Sequence, residues 1–310
     1  RVGCGKQAVE VDDQTINHVS QNPTTNSTSN FHARCSTSGY MVAKAHRPEF
    51  SDVYRRGDMV TDHSGGYEGK VFKCWRIEDE CEFAVKVVNK QYSKSNEAAM
   101  LDELDSDNII RMHDWFEDDM SLMLVLELAR GGDLFDHILN NRRLSEPEAA
   151  TVFRQLLQAV AYLHSKHIVH CDIKPENVLF VHADHSVAKL ADFGSARVVR
   201  GDLPPDARHG GDLVASPAYA APELMTSGHV TPAADLWSLG ALLYTMLAGA
   251  IPFPSASNSN SASNRRGGGG VGEEEAARLA FPRHVSADAQ DLIRRLLVPS
   301  PKLRLDAHAA

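Results

Sequence analysis

The chain has 310 residues, of which 43% are hydrophobic and 24% are charged, a composition typical of a folded enzyme. Because a single domain usually holds about 100 to 200 residues, we expect two lobes. The 32 basic and 41 acidic residues give a net charge of −9. This balance argues against nucleic acid or an anionic membrane as the main partner and is compatible with a basic substrate. No sequence feature indicates an oligomeric state.

The five cysteines are odd in number, scattered and without C-x-x-C spacing, so they indicate neither a disulfide framework nor a zinc site. They predict a reducing, intracellular setting, and we expect a cytoplasmic protein with the nucleus left open. No apolar run approaches the roughly 18 residues that a membrane-spanning helix requires. The first residue is Arg1 and no signal-peptide core follows it, so we expect the sequence to begin inside a longer product.

Two segments of low complexity interrupt the pattern of the chain. Residues 1–50 are rich in Ser, Thr and Asn and show little hydrophobic periodicity, which predicts a disordered tail. Residues 255–272 include the run SASNSNSASNRRGGGG, which predicts a flexible surface insertion. The rest of the chain changes from strand-like to helix-like patterns once, so we assign a small lobe to residues 51–126 and a larger lobe to residues 127–310.

The small lobe is predicted to be rich in short strands. Apolar runs over 69–77 and 82–88 flank an acidic turn, and a third run covers 121–126. A single helix is predicted over 96–104, with Glu97, Leu101 and Leu104 on one face.

The larger lobe is predicted to be mainly helical. The clearest helix covers 146–164, where Ser145 and Glu148 form a capping box and Pro147 lies in the first turn. Two further helices are predicted, one from Thr231 through 247 and one over 286–297. The fold class is therefore α+β, a strand-rich lobe followed by a helical one.

The strings His-Cys-Asp-Ile-Lys-Pro-Glu-Asn, at 170–177, and Asp-Phe-Gly, at 192–194, carry the chemistry. Phosphoryl transfer from a nucleotide needs a carboxylate facing a hydroxyl nucleophile, and an amide plus a second carboxylate to hold Mg²⁺. The tripeptide Asp-Phe-Gly alone would be weak evidence for this chemistry, but the two strings together, fifteen residues apart, are strong evidence for it. The alternative for Asp172 is a solvated loop carboxylate.

A glycine-rich stretch, SGGYEGKV at 64–71, matches a phosphate-binding loop except that Ser64 takes the first Gly position. Gly66 and Gly69 would let backbone N–H groups approach a phosphate closely. The alternative is an ordinary Gly-rich hairpin turn. Lys86 follows one hairpin later and Glu97 lies on the inner face of the next helix, which favours a paired lysine over an exposed one.

Together with Ala-Pro-Glu at 221–223, Asp-Leu-Trp-Ser-Leu-Gly at 235–240 and Arg304, these strings resemble the eukaryotic protein kinases over about residues 55 to 306. The stretches YLHSKHIVHCDIKPEN and LWSLGALLYTMLAGAIPF are most similar to the calcium/calmodulin-dependent group. The resemblance implies a bilobal fold with a small antiparallel sheet and one helix in the first lobe. It also implies pairing of Arg304 with Glu223. The sequence Lys174-Pro175-Glu176 is the serine/threonine version of its loop, and Ser216 agrees with it.

The resemblance also implies ATP and Mg²⁺ as cofactors and a role for each site residue. Asp172 would deprotonate the substrate hydroxyl, Lys174 would neutralise the transferring phosphoryl group, and Lys86, paired with Glu97, would hold the α and β phosphates. Asn177 and Asp192 would hold Mg²⁺. The residues implied around the nucleotide, whose apolar members equally fit an ordinary core, are Ser64, Gly66, Gly69, Val71, Ala84, Lys86, Leu126 as gatekeeper, Glu127, Ala129 and Leu179.

Asp133 and Glu176 stand where related enzymes contact a basic residue upstream of the phosphorylated one, which implies protein substrates with basic residues near the target. The alternative is that both are merely solvated. Small-molecule kinases are disfavoured by the Ala-Pro-Glu and Asp-x-Trp-Ser-x-Gly strings, which serve to hold a polypeptide.

Three features depart from the family pattern. Cys171 replaces the usual Arg that receives an activating phosphate, and residues 196–215 contain no Ser, Thr or Tyr, so we expect activity without phosphorylation of this segment. Glu97 follows Lys86 by only eleven positions, which predicts a short helix that depends on tertiary packing for its anchoring. The chain stops where one more helix is expected.

A catalytically silent scaffold that binds nucleotide or a protein partner is the alternative to an active kinase.

Overall fold

The computed structural model describes residues 48–61, 69–91, 96–199, 216–254, 271–307 and 309–310. The predicted tail up to residue 47, the glycine-rich positions 62–68, and residues 200–215 and 255–270 lie outside the described residues. Predictions for Ser64 and Gly66 therefore remain predictions.

The small lobe is built on a five-stranded antiparallel sheet in the order β1-β2-β3-β5-β4. Its elements are α1 (Phe50–Val53), β1 (Tyr54–Thr61), β2 (Lys70–Arg76), β3 (Glu82–Asn89), α2 (Glu97–Asp102), β4 (Met112–Glu117) and β5 (Ser121–Glu127). Strand alternation places Phe83 and Val85 of β3 in an apolar cluster on one face of the sheet. Ala84 and Lys86 consequently point to the opposite face, toward the cleft.

The larger lobe is mainly helical. Its elements are α3 (Leu134–Asn141), α4 (Glu146–Ser165), β6 (Ile168–Val169), a 3₁₀ turn (Pro175–Asn177), β7 (Val178–Phe180), β8 (Ala188–Leu190), β9 (Arg197–Val198), α5 (Pro222–Ser227), α6 (Pro232–Ala248), α7 (Glu273–Ala277) and α8 (Ala287–Leu296). Two short antiparallel pairs, β6 with β9 and β7 with β8, hold the loops between α4 and α5. The predicted α+β architecture of two lobes is confirmed.

Helix α4 follows the sequence pattern closely. The Ser145 backbone N–H donates to the Glu148 carboxylate at 2.9 Å, so the predicted capping box is present. Its inward side chains, Ala149, Val152, Phe153, Leu156, Ala159, Val160 and Leu163, are buried. The match is good because a long, capped helix is specified by local patterning.

None of the described helices combines the length and the apolar character that a membrane-spanning helix requires.

Observed elements extend across several of the predicted boundaries. Phe50, assigned to the tail, begins α1 and stacks on Tyr54 with ring centroids 5.6 Å apart. Glu127, assigned to the larger lobe, is the last residue of β5. Val271, assigned to the insertion, is 8% exposed and packs in the main core, and Gly272 is the N-cap of α7. Strands β1 and β4 were not individually predicted, because long-range pairing stabilises strands more than local patterning does.

Candidate active site

The cleft lysine is paired with two carboxylates. Lys86 Nζ lies 2.8 Å from Glu97 Oε1 and 2.8 Å from Asp192 Oδ1. Lys86 and Glu97 are only 6% and 2% exposed. The predicted pair therefore forms although α2 has only six residues. The short helix is held by tertiary contacts, since Met100 and Leu101 are buried against the core.

The charges of this network are mutually stabilised. Burial opposes the ammonium form of Lys86, but the carboxylates of Asp192 and Glu97 outweigh burial and raise its pKa above the usual value. Burial likewise opposes ionisation of Asp192, yet the Lys86 ammonium holds the pKa of Asp192 below its usual range. The network therefore keeps the Lys86 ammonium beside the ionised Asp192 carboxylate.

The loop after β6 presents Asp172 with both carboxylate oxygens engaged. Oδ2 lies 2.9 Å from Lys174 Nζ and accepts from Asn177 Nδ2 at 3.2 Å, and Oδ1 accepts from the Ser216 backbone N–H at 3.0 Å. Asn177 ends the 3₁₀ turn that begins at Pro175, which places its amide back over the Asp172 carbonyl at 2.8 Å. The three predicted residues of the loop thus meet at one carboxylate.

Asp235 in α6 fixes the backbone of this loop from below. Its carboxylate accepts the N–H groups of His170 and Cys171, each at 3.0 Å, and Nε2 of His164 at 2.8 Å. Asp235 is fully buried, so these bonds satisfy a charge that burial would otherwise make costly. Cys171 is held at a φ of +68°, a left-handed conformation uncommon for a residue with a side chain.

Asp192 also has a left-handed backbone, with a φ of +62°. Its Oδ1 accepts the Gly194 N–H at 3.1 Å, while the Phe193 N–H donates to Glu97 at 3.3 Å. The fully buried Phe193 ring packs edge-on against His170 at 5.0 Å. These contacts explain how a strained residue is held, because the surrounding core determines its conformation.

Asn177 and Asp192, the residues expected to bind Mg²⁺, have side-chain oxygens that suit such an ion. The Ala191 N–H donates to the Asn177 carbonyl at 2.9 Å, which places Asn177 beside the segment that carries Asp192. Asn177 uses its NH₂ group on Asp172, which leaves the side-chain oxygen as a ligand. Among the described residues no group of three His, Cys, Asp or Glu side chains forms a metal site.

The residues predicted around the adenine ring lie on the cleft side of β2, β3, β5 and β7. Val71 pairs with Lys86, Ala84 pairs with Leu126, and Leu179 lies across from Asp133. Gly69 has a φ of +89°, and a Cβ there would lie 2.7 Å from the Val87 carbonyl oxygen.

The segment after β5 was predicted to offer backbone hydrogen bonds from Glu127 and Ala129. The Glu127 N–H already donates to the Arg111 carbonyl at 2.9 Å. An adenine hydrogen bond at Glu127 would therefore have to use its carbonyl group. Ala129 lies beyond β5, partly buried.

Asp133 and Glu176 influence each other electrostatically. Partial desolvation of its carboxylate raises the pKa of Glu176 although much of the residue is exposed, and the nearby Asp172 and Asp133 carboxylates add to the rise. Asp133 also caps α3, because its Oδ1 accepts the Asp136 N–H at 2.8 Å. The sequence predicted Asp133 as a substrate contact or a solvated residue, and its role as the cap of α3 was not predicted.

The pairing of Arg304 with Glu223 is present, at 2.7 and 3.0 Å. Arg304 also donates to the carbonyls of Ala233, Val298 and Pro299 and stacks over Trp237 at 5.1 Å. The Ser238 hydroxyl donates to the Tyr219 carbonyl at 2.9 Å. Through these bonds the segment that contains Ser216 is tied to the core of the larger lobe.

Sequence reasoning missed two residues that support the site, His164 and Lys189. Lys189 Nζ lies 2.6 Å from Glu127 Oε1. A signal was available, since Lys189 interrupts the apolar run Ala188 to Ala191 just before Asp192. A charge at such a position usually has a partner.

Comparison with known proteins agrees with this geometry. The model of the protein kinase domain family matches residues 64–310. A putative ribosomal protein S6 kinase alpha-2 of Caenorhabditis elegans is 38% identical over 76% of this chain and 32% of that protein. Human calcium/calmodulin-dependent protein kinase type IV is 33% identical over 87% of this chain and 56% of that protein. The 3-phosphoinositide-dependent protein kinase 1 of Arabidopsis thaliana is 34% identical over 84% and 52%, respectively.

The chain belongs to the protein kinase family, and the resemblance seen in its sequence is confirmed. Its relatives include two calcium/calmodulin-dependent kinases, the human one and one from Emericella nidulans. The chain spans between about a third and just over half of the length of these relatives.

Proposed function

We propose that this chain is the catalytic domain of an ATP-dependent kinase that phosphorylates serine or threonine in protein substrates. The observation that carries the proposal is the network of Lys86, Glu97 and Asp192 beside the Asp172 carboxylate bound by Lys174 and Asn177. Phosphoryl transfer depends mainly on positioning and on stabilising charge, and these residues supply both.

Asp172 would accept the proton of the attacking hydroxyl. Its Oδ1 uses one lone pair for the Ser216 N–H, and a carboxylate oxygen has two. As the hydroxyl oxygen bonds to the γ-phosphorus, its proton passes to Asp172 and the bond to the leaving oxygen of ADP breaks. Base catalysis of this kind contributes about 10²- to 10⁴-fold. Lys174, on the same carboxylate, lies where it can offset charge on the transferred group.

The nucleotide phosphates and their metal would be held from both sides of the cleft. Asn177 and Asp192 would hold Mg²⁺, which supplies a charge that offsets the negative phosphate oxygens. Lys86 would turn toward the phosphates while Glu97 keeps its ammonium oriented. Glu97 is buried and its second oxygen also accepts from Lys86 at 3.1 Å, so the lysine stays tethered.

We propose that the enzyme is active without phosphorylation of the segment after Asp192. The Cys171 thiol is 1% exposed and donates to the Val169 carbonyl at 3.5 Å, so this position offers no cation to a phosphate. The nearby Arg197 guanidinium donates to the carbonyls of Ser195 and Ala196, each at 2.9 Å. Phosphatase treatment of active enzyme, followed by mass spectrometry at Ser195 and Ser216, tests the idea. Stoichiometric phosphate there, with activity lost on removal, would refute it.

We also propose a preference for substrates with a basic residue near the target, supported by the mutual influence of Asp133 and Glu176. Turnover of matched basic and neutral peptides tests it, with Asp133→Asn as the variant because Asn still caps a helix. Equal turnover by the wild type would remove the preference. The location proposed for the protein is the cytoplasm, supported by the cysteine pattern.

The central experiment is a radiolabel transfer assay on a peptide library with wild type, Asp172→Asn and Asp184→Asn. Asp184 is an exposed residue bonded to Ser186, outside the cleft. We expect transfer by wild type and Asp184→Asn and a loss of about 10²-fold or more with Asp172→Asn. Nucleotide binding without transfer in the wild type would favour the scaffold alternative. Identical rates for all three proteins would contradict the assigned role of Asp172.

A further inference from the structure

Lys189 joins two parts of the nucleotide site that are far apart in the chain. It lies in β8, three residues before Asp192, and its Nζ is 2.6 Å from Oε1 of Glu127. The same ammonium lies 3.5 Å from the Ile109 carbonyl oxygen. Only 13% of the Lys189 side chain and 21% of the Glu127 side chain are exposed. An ion pair shielded to this degree is less screened than one in water.

Glu127 is fixed by a second set of bonds. Its backbone N–H donates to the Arg111 carbonyl at 2.9 Å, and the Arg111 N–H donates back to Glu127 Oε1 at 2.8 Å. The carboxylate oxygen that holds Lys189 is thus also bound to the backbone before β4. Both the main chain and the side chain of Glu127, which follows Leu126, are therefore bonded to Arg111.

The segment before β4 is in turn bonded to β8. The Leu190 N–H donates to the Asn108 carbonyl at 2.8 Å, and the Ile110 N–H donates to the Leu190 carbonyl at 2.9 Å. The Asn108 side chain adds a bond to the Ala188 carbonyl at 3.1 Å. A closed ring of bonds therefore runs from β8 through residues 108–111 to Glu127 and back through Lys189.

We propose that Lys189 is a positioning residue for the nucleotide: it holds the end of β5, which borders the adenine ring, at a fixed distance from the strand that leads to Asp192. The inference rests on the proposed function, since it assumes that ATP occupies this cleft. With Lys189 in place the adenine contacts and the phosphate contacts are preorganised, so ATP binding orders less of the protein. Without it the end of β5 is joined to β8 through residues 108–111 and no longer by the direct ion pair, so its position is less fixed and binding weakens.

The ion pair between Arg130 and Glu82 provides a matched control. Arg130 lies 2.7 Å from Glu82, but the two side chains are 63% and 37% exposed. Exposed pairs of this kind usually contribute little. Lys189→Met and Arg130→Met each remove one cation and its ion pair and retain much of the aliphatic volume of the side chain.

The experiment measures KM for ATP and kcat for wild type, Lys189→Met, Lys189→Arg and Arg130→Met. We expect Lys189→Met to raise KM for ATP roughly five- to twentyfold with kcat changed less than about twofold. We expect Lys189→Arg to recover most of the loss and Arg130→Met to match the wild type. A purely structural role would lower the melting temperature and the active fraction but leave KM unchanged.

Glu127→Gln completes a double-mutant cycle. If the pair acts as a unit, the double variant with Lys189→Met is no worse than either single variant, whereas additive effects would show that the two act separately. An unchanged KM, or a higher kcat, in Lys189→Met would overturn the inference. Failure of the wild type to bind ATP at all would instead overturn the proposed function, so the two failures are distinguishable.

Discussion

Lys86 and Asp192 form a 2.8 Å ion pair across the cleft although 106 residues separate them in the chain. Lys86 also holds Glu97, so one ammonium links β3, α2 and the segment before β9. Its orientation toward bound phosphates depends on Glu97, because Asp192 is expected to share its carboxylate with a metal.

Replacing Glu97 by Gln should therefore impair catalysis. The ion pair with Lys86 becomes a weaker bond from the ammonium to an uncharged amide oxygen, so we expect kcat/KM to fall roughly ten- to hundredfold. Steady-state kinetics on a peptide substrate measure the change. Glu103→Gln, at the exposed C-cap of the same helix, is the control and should behave like the wild type. Equal rates for both variants would contradict the role of Glu97.

Replacing Gly69 by Ala should disturb the start of β2. The φ of +89° and the 2.7 Å approach of a Cβ to the Val87 carbonyl both oppose any side chain. We expect a loss of about 1 to 3 kcal/mol in the free energy of unfolding, with a raised KM for ATP. Gly272→Ala is the control, because φ is −81° and no atom lies within 4 Å of its Cβ position. Denaturant titration compares the two variants.

The described cysteines should differ in reactivity. Burial raises the pKa of Cys74 to about 12 and also raises the pKa of Cys171, whereas Cys81 is exposed. Because the thiolate is the reactive form, Cys81 should be alkylated at least roughly tenfold faster than the other two in the native protein. Peptide mapping after brief iodoacetamide treatment measures this, with urea-unfolded protein as the control. Rapid labelling of Cys171 would show that the loop before Asp172 opens readily.

Recognition of basic peptides should weaken at acidic pH. The pKa of Glu176 is raised by partial desolvation and by neighbouring carboxylates, so this group takes up a proton at a higher pH than an ordinary Glu. As pH falls through that range, the ratio of kcat/KM for a basic peptide to that for a neutral one should fall. Glu176→Gln should show a smaller, flatter ratio over the same range. A wild-type ratio that rises on acidification would contradict this assignment.

The raised pKa has an opposite consequence for stability. A folded state that binds a proton more tightly than the unfolded state is favoured at low pH, and its ionised form costs stability at neutral pH. Glu176→Gln is therefore expected to be slightly more stable than the wild type at pH 7, as measured by urea unfolding.

Breaking the buried pair of Arg304 and Glu223 should destabilise the larger lobe. The Arg304 side chain is fully buried and that of Glu223 is 9% exposed. Arg304→Met leaves the Glu223 carboxylate buried without its cation, so we expect a loss of about 3 to 5 kcal/mol in the free energy of unfolding. Arg278→Met is the control, since its pair with Glu274 is exposed. Similar midpoints in urea would contradict the expected difference.

Local sequence patterns predicted much of the secondary structure and the grouping of the site residues. Helix α4 was predicted almost to the residue because its cap at Ser145 and its apolar stripe lie within one segment. The grouping of Asp172, Lys174 and Asn177 was also predicted, because the three stand within six residues of one another in the chain, and the structure brings their side chains together. Where chemistry and capping depend on neighbours in the chain, the amino-acid sequence determined the outcome by itself.

Tertiary structure decided what depends on distant partners. Whether the six-residue helix α2 could anchor Glu97 depended on Lys86 and on the core beneath it, and Asp133 turned out to cap α3. The pair of Lys189 with Glu127 joins residues 62 positions apart, so no local pattern specifies it. Burial and the approach of a countercharge set the value of such contacts, and both arise only once the chain has folded.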